Sequence, residues 1–227
     1  MLYQNDQELF ELMKRELFTA VVGDVLDTGG LQHQFLPPQI RPLREDMIIA
    51  GRAMPVLEAD CCGNVVASQG KAEPFGIMME ALDDLKAGEV YICTGSSPCY
   101  ALWGELMSTR AMKLGAVGAV LDGYSRDTRG IYRLNFPTFS WGRYAQDQGP
   151  RGRVIDFRCA IEFDNGVRVE PGDIVFGDLD GVVIVPREHE KDIMHKAMEK
   201  ALGENKVKKA IEDGMSAREA WNTYGIL

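Results

Sequence analysis

EVYICTGSSPCYALWGELMSTRAMKLGAVGAVLDGYSRD, residues 89–127, decides how the chain is read. It opens on an apolar run rich in β-branched and aromatic residues, Glu89 to Gly95, and crosses a turn containing glycine and serine. A helix-like segment follows over residues 103–116, and the stretch closes on a second apolar run, Val117 to Gly123. Strand, helix and strand in that succession predict a βα layer on a largely buried sheet. The charge then arrives together: Asp122, Arg126, Asp127 and Arg129 all fall within DGYSRDTRGI, residues 122–131. That places them at the carboxyl end of a buried strand, where the crevices of α/β sheets collect ligands.

The same alternation extends in both directions. Upstream, IIAGRAMPVLEA (48–59) is strand-like and PFGIMMEALDDLKAG (74–88) helix-like. Residues 6–27 set Leu9, Leu12, Met13 and Leu17 at helical spacing behind Asp6 as the expected cap, with a break expected at Gly23 before a second short helix. Downstream, residues 152–186 alternate short apolar runs with the turn signals Asn165-Gly166, Pro171-Gly172 and Asp180-Gly181, and read as strands completing the sheet system. From about Arg187 the chain is helical and rich in Glu and Lys, with a narrower apolar face than a self-contained core requires. The expected organisation is one α/β domain over residues 1–186 and a helical extension over 187–227 that packs on a neighbouring subunit.

Composition removes several function classes. At 227 residues and 45% hydrophobic content, the chain can bury a core without disulfide or metal staples. A net charge of −9 with no basic stripe argues against a nucleic-acid partner. No run of 18 apolar residues occurs, and MLYQNDQELFELMKRELF reads as an acidic amphipathic segment rather than a signal peptide, so no membrane partner and a cytoplasmic location are expected. Cys61, Cys62, Cys93, Cys99 and Cys159 form no CxxC pair, which suits a reducing compartment. His33, His189 and His195 are too scattered for a triad or a zinc helix, and GSSPCYALWG lacks the spacing of a phosphate-binding loop. Lys71, Lys86 and Lys113 sit in polar contexts rather than the dry setting that activates a Schiff-base lysine.

What remains is acid chemistry. The amides of about Gly104 to Met107 open a helix, where unpaired N–H groups and the positive end of the macrodipole cradle a carboxylate. Glu105 and Asp127 offer oxygen ligands to a hard divalent cation, beside the fork of Arg126. The same residues also suit a loop ion pair and a carboxylate at a helix start worth about half a kcal/mol, and spacing does not decide between the readings. Arg129 and Arg133 are open to the same two readings, and Tyr124 either bonds substrate or caps a core edge.

Gly104-Glu105, then twenty residues, then Arg126-Asp127 resembles the G-(D/E)-x20-R-D signature of the RraA-like family, which includes the class II 4-hydroxy-4-methyl-2-oxoglutarate aldolases. NFPTFSWG (135–142) and VEPGDIVFGDLDGVVIVP (169–186) also resemble family segments in the same order, so the likeness runs from about Phe18 to Pro186, and residues 212–227 resemble tails in part of the family. The resemblance implies a compact layered α/β sandwich similar to the swivelling phosphohistidine domain, assembled as a homotrimer or homohexamer with sites between subunits. It implies Asp127 as the direct ligand of Mg²⁺ or Mn²⁺, Glu105 as the carboxylate holding the metal through water, and Arg126 as the substrate-orienting guanidinium. The amides of Leu106 and Met107, next to Gly104, would hold the pyruvate carboxylate. An acidic residue from a neighbour's C-terminal region, Glu204 or alternatively Glu199, would complete the site. Glu105 stands where some aldolases carry Asp, so the metal geometry is the point this departure touches. The implied activity is a metal-dependent lyase that cleaves a 4-hydroxy-2-oxo acid, such as 4-hydroxy-4-methyl-2-oxoglutarate or 4-carboxy-4-hydroxy-2-oxoadipate, to pyruvate plus an oxo acid, with oxaloacetate decarboxylation at the same site. The alternative within the family is a regulatory protein that binds and inhibits ribonuclease E.

Overall fold

In chain order the elements are α1 (Asp6–Glu16), α2 (Thr19–Thr28), β1 (Arg41–Pro42), β2 (Ile49–Asp60), β3 (Phe75–Gly76), α3 (Met78–Asp83), β4 (Glu89–Thr94), β5 (Ala101–Trp103), α4 (Glu105–Leu114), β6 (Gly118–Leu121), β7 (Tyr124–Ser125), α5 (Thr128–Leu134), β8 (Thr138–Ser140), β9 (Gly152–Phe157), β10 (Ile161–Glu162), β11 (Arg168–Val169), β12 (Ile174–Asp178), β13 (Gly181–Val185), α6 (Glu190–Glu212) and α7 (Ala217–Tyr224). The computed structural model describes residues 3–61 and 74–226, so Cys62 and Lys71 lie outside the described residues.

Strand β2 organises the sheet. On one edge it pairs in parallel with β4, from Arg52↔Glu89 to Leu57↔Thr94. Its other edge is shared: β12 pairs antiparallel with Ile49–Arg52, and β9 pairs antiparallel with Val56–Asp60 across an irregularity at Leu57/Glu58. The main path runs β1-β8-β6-β4-β2-β12-β13. The ends of that path approach each other, because the Arg41 guanidinium on β1 donates to the carbonyls of Leu179 and Asp180 in the β12–β13 turn. The result is a mixed α/β fold with a nearly closed sheet.

Both faces of this sheet are covered, which explains its unbroken apolar runs. Along β13, Val182 and Ile184 join the core that holds Tyr91, Trp103 and Phe139, while Val183 and Val185 join a second core under α1, α2 and α6. The period of two thus delivers successive side chains to two different interiors.

The N-terminal helices depart from expectation in two places. Asn5, not Asp6, caps α1 by accepting from the Glu8 amide at 2.9 Å. Asp6 is freed to bind the Arg52 guanidinium, Oδ2 to Nε at 2.7 Å. The break falls at Leu17 and Phe18, both extended, rather than at Gly23. Thr19 then starts α2 by donating its amide and hydroxyl to the Asp178 carboxylate at 2.8 and 2.7 Å. Gly23 lies inside α2, where a Cβ would run into the Phe35 ring, so its glycine serves close packing rather than a turn.

The C-terminal segment divides in two. Ile193, Met194, Ala197, Met198 and Ala201 of α6 are buried with α2 in the second core of their own chain. Beyond them Leu202, Ile211, Trp221 and Tyr224 are exposed. Helix α7 is independently well started, with a reciprocal Ser216–Glu219 capping box. Among the described residues no helix is long and apolar enough to cross a membrane.

Candidate active site

Two short strands outside the main sheet bring the site together. β5 and β7 pair in parallel, with Ala101 opposite Tyr124 and Trp103 opposite Ser125, so the chain leaving β5 into α4 lies beside the chain leaving β7 into α5. The Arg126 amide donates to the Trp103 carbonyl at 2.9 Å and locks the two exits together. Asp147 joins from the loop before β9 through a parallel bridge to Ala101. Trp103 anchors this corner to the core: it is 1% exposed, its ring centroid lies 4.8 Å from that of Tyr91 and 6.1 Å from that of Phe136, and its Nε1 donates to Ser108 Oγ at 2.7 Å. The first turn of α4 is therefore held rigidly against a buried aromatic group.

Gly104 precedes α4 in extended conformation, and no side chain caps the helix start. A Cβ built on Gly104 would lie 2.6 Å from Asp127 Oδ2, so the glycine admits the carboxylate to the mouth of the helix. Asp127 itself has φ +54° and ψ +31°, a left-handed conformation that few non-glycine residues adopt. Its carbonyl receives the amides of Gly130 and Ile131 at 2.8 and 3.2 Å, while its carboxylate does not cap α5. A strained backbone thus holds a carboxylate away from its own helix and toward the next one.

The Arg126 guanidinium bridges the acids. Nη2 lies 3.0 Å from Asp147 Oδ1, and Nε lies 3.9 Å from Asp127 Oδ2. Beside them opens a cleft of about 200 Å³, with Gly104, Leu106, Met107, Arg126, Asp127, Asp147 and Gln148 in its wall and Phe75, Met78 and Trp103 supplying apolar surface. Gly104, Leu106, Met107, Arg126 and Asp127, all expected from the sequence, are brought together.

Glu105 is placed differently. It does not line the cleft, and its carboxyl lies so close against Gly130 of α5 that a Cβ there would collide with it. Arg133 pairs with it, Nη2 to Oε1 at 3.3 Å, so the partner of Arg133 in this chain is Glu105. Glu204 lies 3.9 Å from Lys200, and Glu199 lies 3.6 Å from His195; neither lines the cleft of its own chain. Tyr124 packs edge-on against Trp141 and Tyr144, with ring centroids 6.2 and 5.5 Å away. Asp122, first of the four charges in DGYSRDTRGI, is buried; it accepts from Thr94 Oγ1 at 2.5 Å and Trp141 Nε1 at 3.2 Å, and burial raises its pKa.

Among the described residues no group of three or more His, Cys, Asp or Glu could hold a metal ion. A hard cation that keeps several waters needs only one or two protein carboxylates, with substrate oxygens completing its shell. Asp127, drawn to Gly104 with its carboxylate free of a cap, fits that role, and the all-oxygen character suits Mg²⁺ or Mn²⁺ rather than zinc.

Sequence reasoning passed over Asp147, Gln148 and Glu58. Glu58 sits at the β2 irregularity, 2% exposed, and accepts from Gln148 Nε2 at 2.6 Å. Its Oε1 has no hydrogen-bond partner among the described residues, and burial pushes its carboxyl up to about 8. An acidic residue inside the apolar run 48–59 was a visible signal for Glu58. Asp147 and Gln148 lie on a loop without periodicity and carried none.

A family model described as "RraA-like: Aldolase/RraA" matches residues 19–184. The chain belongs to the RraA-like family. It is 30% identical over 211 residues to a protein of Halalkalibacterium halodurans named "Putative 4-hydroxy-4-methyl-2-oxoglutarate aldolase", covering 91% of this chain and 90% of that one. It is also 27% identical over 208 residues to protein DlpA of Legionella pneumophila, covering 91% of this chain but only 32% of DlpA, so the chain spans about a third of that relative. A solved structure from Pseudomonas syringae pv. tomato has the same fold, with TM-score 0.83 at 24% identity over 99% of this chain and 97% of that one.

Proposed function

We propose that the protein is a divalent-metal-dependent carbon–carbon lyase that cleaves a 4-hydroxy-2-oxo acid to pyruvate and a carbonyl product, with oxaloacetate decarboxylation open to the same site. The observation that carries this reading is the approach of the Asp127 carboxylate to Gly104, at the uncapped start of α4 and next to Arg126. The names of the aldolase relatives support the same reaction class.

In this reading the α4 amides at Leu106 and Met107 receive the carboxylate of the 2-oxo acid, as helix N-termini receive anions generally. Asp127 would hold Mg²⁺ or Mn²⁺; the cation supplies positive charge where negative charge develops on the ketone oxygen. Arg126, fixed by Asp147, orients the C4 oxygen, and rigid placement of this kind accounts for much of the rate in positioned reactions. Glu105, whose carboxyl lies close against Gly130 and pairs with Arg133 outside the cleft, would act on a bound cation through an intervening water. Glu204 or Glu199 would reach such a site only from a neighbouring copy in a homotrimer or homohexamer. The regulatory alternative, binding to a ribonuclease, draws on the family and on net charge, and it gives the Arg126–Asp127 arrangement nothing to do.

The test is pyruvate release from 4-hydroxy-4-methyl-2-oxoglutarate and from oxaloacetate, with Mg²⁺, with Mn²⁺ and with EDTA, against Asp127→Ala. Turnover lost with chelator and in the variant is the expected result. Turnover unaffected by both would overturn it.

A further inference from the structure

Asp147 and Gln148 reach the cleft on an arm, residues 141–151, that runs as a loop from β8 to β9. Asp147 meets Arg126 at 3.0 Å, so the seating of this arm decides where the guanidinium sits beside Asp127. The arm is attached at several points. The Ala101 amide donates to the Gln146 carbonyl at 2.8 Å, and the Arg151 and Gly152 amides donate to the Gln148 carbonyl at 2.7 and 3.0 Å. A side-chain bond completes the seating: Gln148 Nε2 donates to Glu58 Oε2 at 2.6 Å, which ties the arm directly to β2.

A glutamine at 58 could accept the same bond, yet the residue there is an acid, 2% exposed. Its surroundings favour the neutral form. Tyr91 and Cys93 of β4 are held well above their ordinary pKa values by burial first and by Glu58 second, so both stay uncharged beside it. The Tyr100 hydroxyl is spent on Asp60, to which it donates at 2.7 Å. On β9, Val154 is opposite Glu58 and Arg153 is opposite Ala59. The charged groups of the arm are engaged as well: Asp147 with Arg126, Arg151 with the Asp147 carbonyl at 3.0 Å, and Arg143 with Tyr132 Oη at 2.5 Å. Burial pushes the Glu58 carboxyl up to about 8, against the pull of the Gln148 amide. Once ionised, a carboxylate in this setting is relieved by water, which reaches it when Gln148 withdraws. Because Glu58 is buried within its own chain, this relationship does not depend on what a neighbouring copy adds to the cleft.

From this we infer that Glu58, as a neutral acid, is a positioning residue for the cleft: it seats the arm that carries Asp147 and Gln148, and through Asp147 holds Arg126 in place, until it loses its proton. Glu58 touches no reacting group. Its effect on turnover rests on the lyase reading above, whereas its hold on the arm is a property of the folded chain. The acid makes conditional on pH an attachment that an amide would make permanent. Raising the pH through the titration of Glu58 therefore releases the arm and leaves Arg126 without its fixed partner.

The experiment follows amide hydrogen exchange of the arm by mass spectrometry at pH 7 and pH 9, corrected for the intrinsic pH dependence of exchange. The amides of Arg151 and Gly152, bonded to the Gln148 carbonyl, are the reporters. The wild type is compared with Glu58→Gln, which cannot ionise, and with Gln148→Ala, which cuts the same bond from the other side. Between the two pH values the neutral fraction of a group titrating near 8 falls about tenfold, so wild-type protection should fall by about that factor or more. Protection in Glu58→Gln should stay within about twofold, and in Gln148→Ala it should be low at both pH values. The kcat/KM for pyruvate release from 4-hydroxy-4-methyl-2-oxoglutarate with Mg²⁺, taken as the ratio of wild type to Glu58→Gln, should fall about tenfold over the same range. Protection that changes alike in wild type and Glu58→Gln, or in neither, overturns the inference whether or not pyruvate forms. Protection that follows Glu58 while the kcat/KM ratio stays constant overturns its control of the cleft. Protection that follows Glu58 with no pyruvate from any of the proteins overturns the lyase reading and leaves the hold of Glu58 on the arm standing.

Discussion

The carboxylate of Asp127 occupies the space beside Gly104 that any larger residue would claim: a Cβ on Gly104 would sit 2.6 Å from Asp127 Oδ2. Gly104→Ala should therefore displace the carboxylate by a few tenths of an ångström to an ångström without touching the core. The expected outcome is a fall in kcat/KM of roughly 100-fold, the scale on which misplacement of a reacting group acts. Circular dichroism should show an unchanged fold. Activity within about twofold of wild type would place the metal-holding group elsewhere.

Arg133 and Glu105 form an exposed pair, with Arg133 73% exposed. Arg133→Ala should cost less than about 1 kcal/mol in chemical denaturation, as exposed ion pairs do. If Arg133 instead read a substrate carboxylate, the variant would raise KM at least about tenfold, which titration of the substrate would show.

Glu58 makes the folded protein sensitive to pH. Its carboxyl is pushed up to about 8 by burial, against 4.5 for the ordinary group. Between those values the folded state holds a proton that the unfolded state has lost, so the contribution is full below about 4.5 and falls as pH rises through 8. Glu58→Gln keeps an oxygen able to accept from Gln148 and cannot ionise. Denaturation midpoints measured from pH 5 to 8.5 should decline for the wild type by an amount worth a few kcal/mol and decline much less for the variant. Parallel curves would contradict a buried, neutral Glu58.

Gly118 in β6 sits where a Cβ would collide with Ile49 Cδ1 and lie 2.7 Å from the Pro137 carbonyl. The side chain can move, but the carbonyl cannot. Gly118→Ala should destabilise the protein by about 1–3 kcal/mol in urea unfolding, the usual cost of overpacking, and leave KM unchanged. A neutral substitution would mean that β6 and β8 are less tightly joined than their pairing indicates.

Much of this was legible from local pattern. The apolar runs at 89–95 and 117–123 became β4 and β6, whereas the Arg126-Asp127 dyad, expected at the carboxyl end of the second run, follows β7, an unforeseen two-residue strand paired with β5 outside the main sheet. The misreadings share a cause, which is that tertiary contacts settle what local signals leave open. Asp6 and Asn5 are both good caps, and the choice fell to Asn5 because Arg52 engages Asp6. Gly23 read as a break until Phe35 packed over it. Helix α5 is seven residues long and contains Gly130, so no periodicity announced it, yet it decides where Glu105 points. Asp147 and Gln148 reach the cleft through a loop whose position depends on its bridge to β5 and, for Gln148, on Glu58 ninety residues earlier.

The most direct measurement is proton NMR of pyruvate in D₂O with the wild-type protein and Mn²⁺ or Mg²⁺ below the level that broadens the methyl signal, repeated with EDTA and with Asp127→Asn. Loss of the methyl resonance through exchange, abolished by chelator and reduced at least about 100-fold in the variant, is the result expected if Asp127 holds the cation beside Gly104. Exchange that persists with EDTA, or that is unaltered in Asp127→Asn, would contradict it.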